Sequence, residues 1–407
     1  MISENDKVIL RELAAKYAEY ASLPEQKERR NRWLRHNALE SERPLVLIDQ
    51  LPWTELNIGG CLDRKVQDDF FASVEMQLRY TIFAWEHFPA DMVLDPYIKV
   101  PHPMNNTGWG LESSVSRLKQ KQNSDVYAQH IINQIEEPED IEKIHTPVIT
   151  VDEAYVKEIS EACDMIFGGI IPWQFSGMIM HLGAWDTIAY WMGVENCYIE
   201  LMDRPEMMHV LMEKLTQGYL GMIEQFNALK LFDTCGHICH CSHTYRYDDN
   251  PDGEGLSGNT WAFGLAQLFT GVSPKITEEF ECAYMKRIFP HFKNIYYGCC
   301  DRLDDRMELV AALPNVRKLS CSPWSHREAF AEKLPASIIM SNKPTPALLS
   351  PDRFNEDAVR ADLRRTMDAA KRYGKSLELI LKDVSTVRYQ PERLTRWSQI
   401  ALEEASR

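Results

Sequence analysis

Short apolar runs alternate along this chain with longer segments of helical period. Pro44–Ile48, Asp91–Asp95, Met165–Ile171, Leu229–Cys235, Asn294–Tyr297, Val316–Cys321, Ser337–Ser341 and Leu377–Leu381 read as eight buried strands. Between the fourth run and the third, Met208, Leu211, Met212, Leu215, Tyr219, Met222, Ile223 and Phe226 make one stripe at a 3.6-residue period, with Asp203 as its cap and Pro205 in its first turn. Ser273-Pro274 opens another helix, Ser325 and Glu328 form a capping box, and a further helix runs from about Asn355 through Val359, Leu363 and Met367 to Gly374. Strands alternating with helices predict a parallel sheet. Eight of them predict an α/β fold, a single (β/α)8 barrel covering 1–407 with a helical extension over about 1–43. A doubly wound open sheet is the alternative, but no Gly-x-Gly-x-x-Gly between a strand and a helix, and no phosphate loop, supports it. The long stretches between the second and fourth strands predict loops and helices inserted over the C-terminal face.

Composition narrows the partners. The 407 residues are 44% apolar and include ten tryptophans, ample for a large core. A net charge of −15 disfavours nucleic acid and anionic membranes, and suits a small-molecule substrate or a protein with a basic patch. A homodimer is also compatible. No run approaches the length of a membrane span, and Met1–Arg35 is charged and helix-like, unlike a signal peptide. Ten cysteines are too few for a disulfide scaffold, and six lie between Cys235 and Cys300, which predicts reduced thiols in the cytoplasm.

The candidate chemistry sits at strand ends, where a barrel carries its active site. Asn294–Tyr297 ends on Gly298-Cys299-Cys300-Asp301, the eighth strand on Lys382-Asp383, and the seventh on Asn342-Lys343 before Pro344. Adjacent cysteines on a strand point to opposite faces, so one at most faces the site unless the strand has ended. The run Cys235 to His243 carries His237, Cys239 and Cys241 at period two, together with His240. That spacing suits a zinc half-site or a pocket wall, with plain packing as the third reading. Asp301 reads as a site acid or a helix cap, Asp383 as a site group or a partner for Lys382, and Lys343 as a cation for an anionic substrate. Trp261, Trp324 and Trp173 are candidates for an aromatic pocket, with the core the favoured reading for each, while Met207, Met208, Met212 and Met222 read as helix packing.

Several longer motifs add to this reading. They are Asn31-Arg32-Trp33-Leu34-Arg35-His36-Asn37 leading into Arg43-Pro44-Leu45-Val46-Leu47, Trp261-Ala262-Phe263-Gly264 with Val272-Ser273-Pro274, and Tyr296-Tyr297-Gly298-Cys299-Cys300. Further along come Pro314-Asn315-Val316-Arg317-Lys318 with Ser322-Pro323-Trp324, then Asn342-Lys343-Pro344-Thr345-Pro346 and Lys382-Asp383-Val384-Ser385-Thr386-Val387. In these the chain resembles the uroporphyrinogen decarboxylase superfamily, and more narrowly the uroporphyrinogen-decarboxylase-like methyltransferases of corrinoid-dependent demethylation. The resemblance implies transfer of a methyl group between a small substrate and the cobalt of a separate corrinoid protein. It also implies zinc held by a His-x-Cys pair and a later thiol or acid. Tyr297-Gly298-Cys299 falls at the His-x-Cys position with tyrosine in place of histidine, and Asp383 or Ser385 falls near the later one. Zinc has then either moved to the His237-Ile238-Cys239 run or is absent.

The resulting candidates are Asp383, Asp301 and Lys343 for catalysis, Trp261, Tyr297, Asn342 and His240 for substrate binding, and His237, Cys239, Cys299 and Cys300 for metal. The expected reaction removes a methyl group from a small substrate, an aromatic methyl ether foremost, and delivers it to Co(I). Methyl transfer from the corrinoid to tetrahydrofolate, and a non-catalytic barrel that binds a corrinoid protein or ligand, are the alternatives. Porphyrinogen decarboxylation is disfavoured, because no Arg-Gln-Ala-Gly-Arg segment for propionates occurs near the N-terminus.

Overall fold

Five of the eight apolar runs become strands at or within two residues of their expected positions. The computed structural model describes residues 2–117, 129–234, 238–249 and 253–407. In chain order its main elements are α1 (Glu4–Ala21), α2 (Pro24–Asn37), β1 (Leu45–Ile48), α3 (Asp69–His87), β2 (Ile98–Pro101) and α4 (Glu153–Phe167). There follow β3 (Trp173–Ser176), β4 (His181–Leu182), α5 (Pro205–Leu229), β5 (Trp261–Gly264), β6 (Asn294–Tyr297) and β7 (Val316–Cys321). The last are α6 (Arg327–Lys333), β8 (Ile339–Asn342), α7 (Glu356–Arg372), β9 (Leu377–Leu381) and α8 (Glu392–Ala405).

The central sheet has seven strands in the order β1-β9-β8-β7-β6-β5-β4, every neighbour parallel. Strands buried on both faces need continuous apolar sequence, and β9, Leu377–Leu381, is buried throughout. The α/β class and parallel sheet match expectation. The parallel ladder links seven strands among the described residues. Beside the β1 edge, the Asp91 N–H donates to Val46 O at 2.9 Å. A separate parallel pair joins β2 to β3, and β3 leads into β4 past a single bridge between Met178 and Phe232.

Three expected strands are corrected. Residues 91–95 form a turn and an extended segment outside the sheet. Residues 165–167 are the last turn of α4, in which Ile159, Ala162, Cys163, Ile166 and Phe167 are buried at helical spacing, and Gly168 caps it. Leu229 ends α5, Lys230 turns the chain in a left-handed conformation, and only Phe232 bridges; Cys235 lies outside the described residues. Two caps differ as well. Asp203 closes the preceding helix, so α5 begins behind Arg204. At α6 the His326 side chain, not Ser325, accepts from the Ala329 N–H. The expected caps at Ser273 and Asn355 are present. Helices α1 and α2 occupy the N-terminal extension, and no helix among the described residues is long and apolar enough to cross a membrane.

Charge is buried between β7, β9 and α2. Lys318 on β7 donates to Glu378 on β9 at 2.9 Å and to Ser242 at 2.6 Å, and His36 Nε2 lies 3.2 Å from the same carboxylate. All three charged or titratable side chains are fully buried. Burial alone would raise Glu378, but Lys318 and then His36 outweigh it and hold the carboxylate well below its ordinary range.

Candidate functional site

The C-terminal ends of β6 and β9 bring a thiol and an ammonium together. Gly298 turns the chain after β6 with φ +88, and a Cβ there would meet the Leu303 side chain at 2.9 Å and Ser320 at 3.1 Å. That turn ends the strand alternation for Cys299 and Cys300. The Cys299 N–H donates to Asp301 Oδ1 at 3.0 Å, and its carbonyl accepts the Ser320 hydroxyl. Lys382, one residue beyond β9, places Nζ 3.0 Å from Cys299 Sγ and 2.8 Å from His240 Nε2.

His240 lies in the turn between the paired segments Ile238–Cys239 and Ser242–His243. Its imidazole stacks on Phe263 of β5 with centroids 4.0 Å apart and planes 5° from parallel. His240, Asp383 and Gln50 all have left-handed backbones, with φ of +57, +56 and +50. Such conformations are strained for residues with a Cβ and gather at functional sites. Lys343, one residue beyond β8, bonds to Tyr296 Oη and, at 2.7 Å, to Ser341 Oγ. Cys241 Sγ lies 3.6 Å from the same tyrosine oxygen.

Electrostatics favour an ionised sulfur here. The Cys300 thiol, then His240 and Lys382, pull Cys299 well below the ordinary thiol value and outweigh its burial. Cys300 moves the other way, raised by the neighbouring Cys299 sulfur, and its Sγ lies 3.2 Å from Gln267 Oε1. Burial and the Lys382 ammonium oppose the charged form of His240, while the sulfurs of Cys241 and Cys299 favour it. The 2.8 Å approach of Lys382 Nζ to His240 Nε2 leaves room for one hydrogen between the two nitrogens. The lysine therefore donates to the imidazole whenever Nε2 carries its lone pair.

A cavity of about 620 Å³ opens beside this cluster, bounded by β1, α3, the 88–99 segment and the 176–179 turn. Its aromatic wall includes Trp53 and Tyr80, stacked with centroids 4.0 Å apart. Asp49 and Cys241 line it, and both also face the cluster: Asp49 senses the charges of His240 and Lys382, and Cys241 that of His240. Burial pushes the Asp49 carboxyl above its ordinary value. Nothing in the strand-end reading singled out Asp49, although it follows the first apolar run directly.

The expected site residues are dispersed by the fold. His240, Cys299 and Cys300 meet, and Asp383 stands at the rim, 3.5 Å from Lys382 Nζ and 43% exposed. Lys343 reaches the floor through Tyr296. Asp301 is committed to Arg306 at 2.6 Å. Tyr297 turns to the helical layer, where its hydroxyl donates to Glu281 at 3.1 Å; its neighbour Tyr296 is the one facing the cluster. Asn342 faces away too, donating to Cys321 O and accepting from Thr366. Trp261 is fully buried near Lys318 and lines no part of the cavity. Trp324 is 77% exposed. His237 lies outside the described residues.

The expected metal set does not assemble among the described residues. No three His, Cys, Asp or Glu side chains there converge as ligands. Cys239 is fully buried among Trp33, Trp261 and other apolar side chains, in the same cluster as Cys241 and Cys299. The Lys382 ammonium stands between Cys299 and His240, where it would repel a dication. Among the described residues, the Cys299–His240 pair with this ammonium between them does not fit zinc.

No family model and no curated protein matches the chain. Among solved structures it is similar in fold to a methyltransferase from Methanosarcina mazei, with 10% identity and a TM-score of 0.52 over 92% of this chain and 98% of the other.

Proposed function

We propose that this chain is a methyltransferase that moves a methyl group from a small substrate, an aromatic methyl ether, to the Co(I) corrinoid of a separate protein. The motif resemblance to the uroporphyrinogen-decarboxylase-like methyltransferases supplies the reaction class, and the fold shared with a methyltransferase agrees with it. The same proposal includes closure of the parallel sheet into one (β/α)8 barrel over residues 1–407.

The observation that carries the reading is the cavity of about 620 Å³ beside the ends of β1 and β3, with Asp49 on its wall. A methyl ether is a poor donor because the departing alkoxide or phenoxide is basic, so a proton must reach its oxygen as the bond breaks. Burial pushes the Asp49 carboxyl up, which favours its acid form, and the group lines the cavity. The stacked Trp53 and Tyr80 present a flat apolar wall suited to an aromatic ring. The cavity holds ring and methyl group in one orientation, and the corrinoid approaches from the open strand-end face.

The test mixes the enzyme with reduced corrinoid and a series of methoxyarenes and follows loss of the Co(I) absorbance. Turnover with at least one methoxyarene is expected. No methylated corrinoid from any methyl ether or methylamine, together with methylation of tetrahydrofolate, would assign the opposite half of the pathway. Inactivity in both directions with tight binding to a corrinoid protein would make the chain a binding module.

A further inference from the structure

The cavity that holds Asp49 is larger than a single methoxylated ring needs. Its volume of about 620 Å³ is that of sites that enclose drug-sized ligands, and one such ring would leave most of it to water. It is also long. Gln77, Thr81, Ala84 and Phe88 line it from α3 and the residue that ends that helix, roughly 16 Å of wall at about 1.5 Å per residue. Trp53 and Tyr80 form the aromatic part of the same wall.

The charged groups on this wall are committed to one another. The Asp95 carboxylate meets Lys99 at 3.0 Å and Arg30 at 3.2 Å, and the Tyr245 hydroxyl lies 2.9 Å from each of its oxygens. Asp233 is buried and brings negative charge. Lys343, expected to balance an anion, bonds instead to Tyr296 and Ser341 and lines no part of the cavity. A carboxylated substrate would therefore lose its hydration and find no uncommitted cation among the described residues of the wall. Neutral polar groups do remain. The Gln77 amide and the Thr81 hydroxyl stand one turn apart on α3, with no hydrogen-bond partner among the described residues.

We propose that the substrate is an uncharged aromatic methyl ether of two linked rings, with the methoxylated ring beside Trp53, Tyr80 and Asp49 and the second ring along α3, where Thr81 and Gln77 meet its oxygen substituents. The inference rests on the methyl-transfer reading and names the substrate class of that same site. Leu51, Leu78, Met92 and Ile179 give both rings apolar surface to cover. The second ring contributes binding that a single ring lacks, and it holds the reacting methyl group in one place.

Calorimetric titration of the full chain with anisole, methoxybenzoate and a bis(dimethoxyphenyl)ethane tests this, alongside the Co(I) assay with the same three compounds. The two-ring ether should bind at least about tenfold more tightly than anisole and show at least about tenfold higher kcat/KM. Methoxybenzoate should bind more weakly than anisole. Gln77→Ala, at an exposed position, should weaken the two-ring ether at least about threefold, and Thr81→Phe, which fills the wall, at least about tenfold. Both should affect the two-ring ether more than anisole, whereas general loss of structure would weaken both ligands alike. Equal affinity for one ring and two, or a preference for methoxybenzoate, overturns the proposal. If that result comes with methylated corrinoid formed from anisole or methoxybenzoate, only the substrate class falls. If the two-ring ether binds tightly and no ether is demethylated, the ligand class stands and the methyl-transfer reading falls.

Discussion

Asp49 and Lys318 are single residues whose removal should have opposite signatures. Asp49 faces the cavity and pairs with no cation in contact, so Asp49→Asn should fold normally and lose the proton donor. The expected loss is about 10² to 10⁴ in kcat for methyl ethers, read by the Co(I) assay with the urea midpoint as control. An unchanged kcat would remove Asp49 from the chemistry. Lys318 is structural. Lys318→Met leaves Glu378 buried against His36 and Ser242 without its ammonium, which costs roughly 3–5 kcal/mol. A midpoint within error of wild type would contradict that pairing. Both residues were legible as anomalies, a carboxylate after the first apolar run and a lysine inside a strand. Their partners were not, because Glu378 and His36 meet Lys318 only through strand order and the path of α2.

At the scale of elements, continuous apolar runs gave five strands because both faces of a parallel sheet are dry. The same kind of run misled at 165–171, where the stripe of α4 extends to Phe167 before two glycines. Short strands such as His181–Leu182 carry too few residues to show a period. One local irregularity has a pH consequence. Residues Glu278–Cys282 form a π-type turn, a feature that often re-aims side chains. Glu281 on it is fully buried against Tyr297, and burial, with Asp186 adding, pushes its carboxyl up to about 8 although the Tyr297 hydroxyl opposes this. Folded protein therefore keeps a proton that the unfolded chain releases near 4.5. The folded state binds more protons between those values, so stability falls as pH rises through that window and levels off above it. The contribution is on the order of 3–5 kcal/mol. Glu281→Gln should flatten urea midpoints between pH 5 and pH 8.5, about the two ends of the window; equal slopes in both proteins would refute the assignment.

Across the whole molecule, the N-terminal helices are part of the core and not an appendage. Helix α2 lays Trp33 and His36 against the buried Lys318–Glu378 pair, and Asp91 ties that helix to the sheet. The Asp91 carboxylate takes two bonds from Arg43, at 2.6 and 2.8 Å, and one from the Val46 N–H at 2.9 Å. Its backbone carbonyl receives the Trp33 indole at 2.8 Å. At the β1 edge this side chain takes the place of a ladder partner, which is why 91–95 reads as a strand in sequence and is not one in the fold. Asp91→Ala would leave the Val46 N–H and the Arg43 guanidinium without their acceptor, a loss of roughly 3–5 kcal/mol. That is a large fraction of the total stability of about 5–15 kcal/mol expected for a folded protein. Asp91→Asn keeps an oxygen for Val46 and should lose about half as much. Urea midpoints should fall in the order wild type, Asn, Ala. An alanine variant as stable as wild type would mean that the Asp91 side chain does not help join this segment to the sheet.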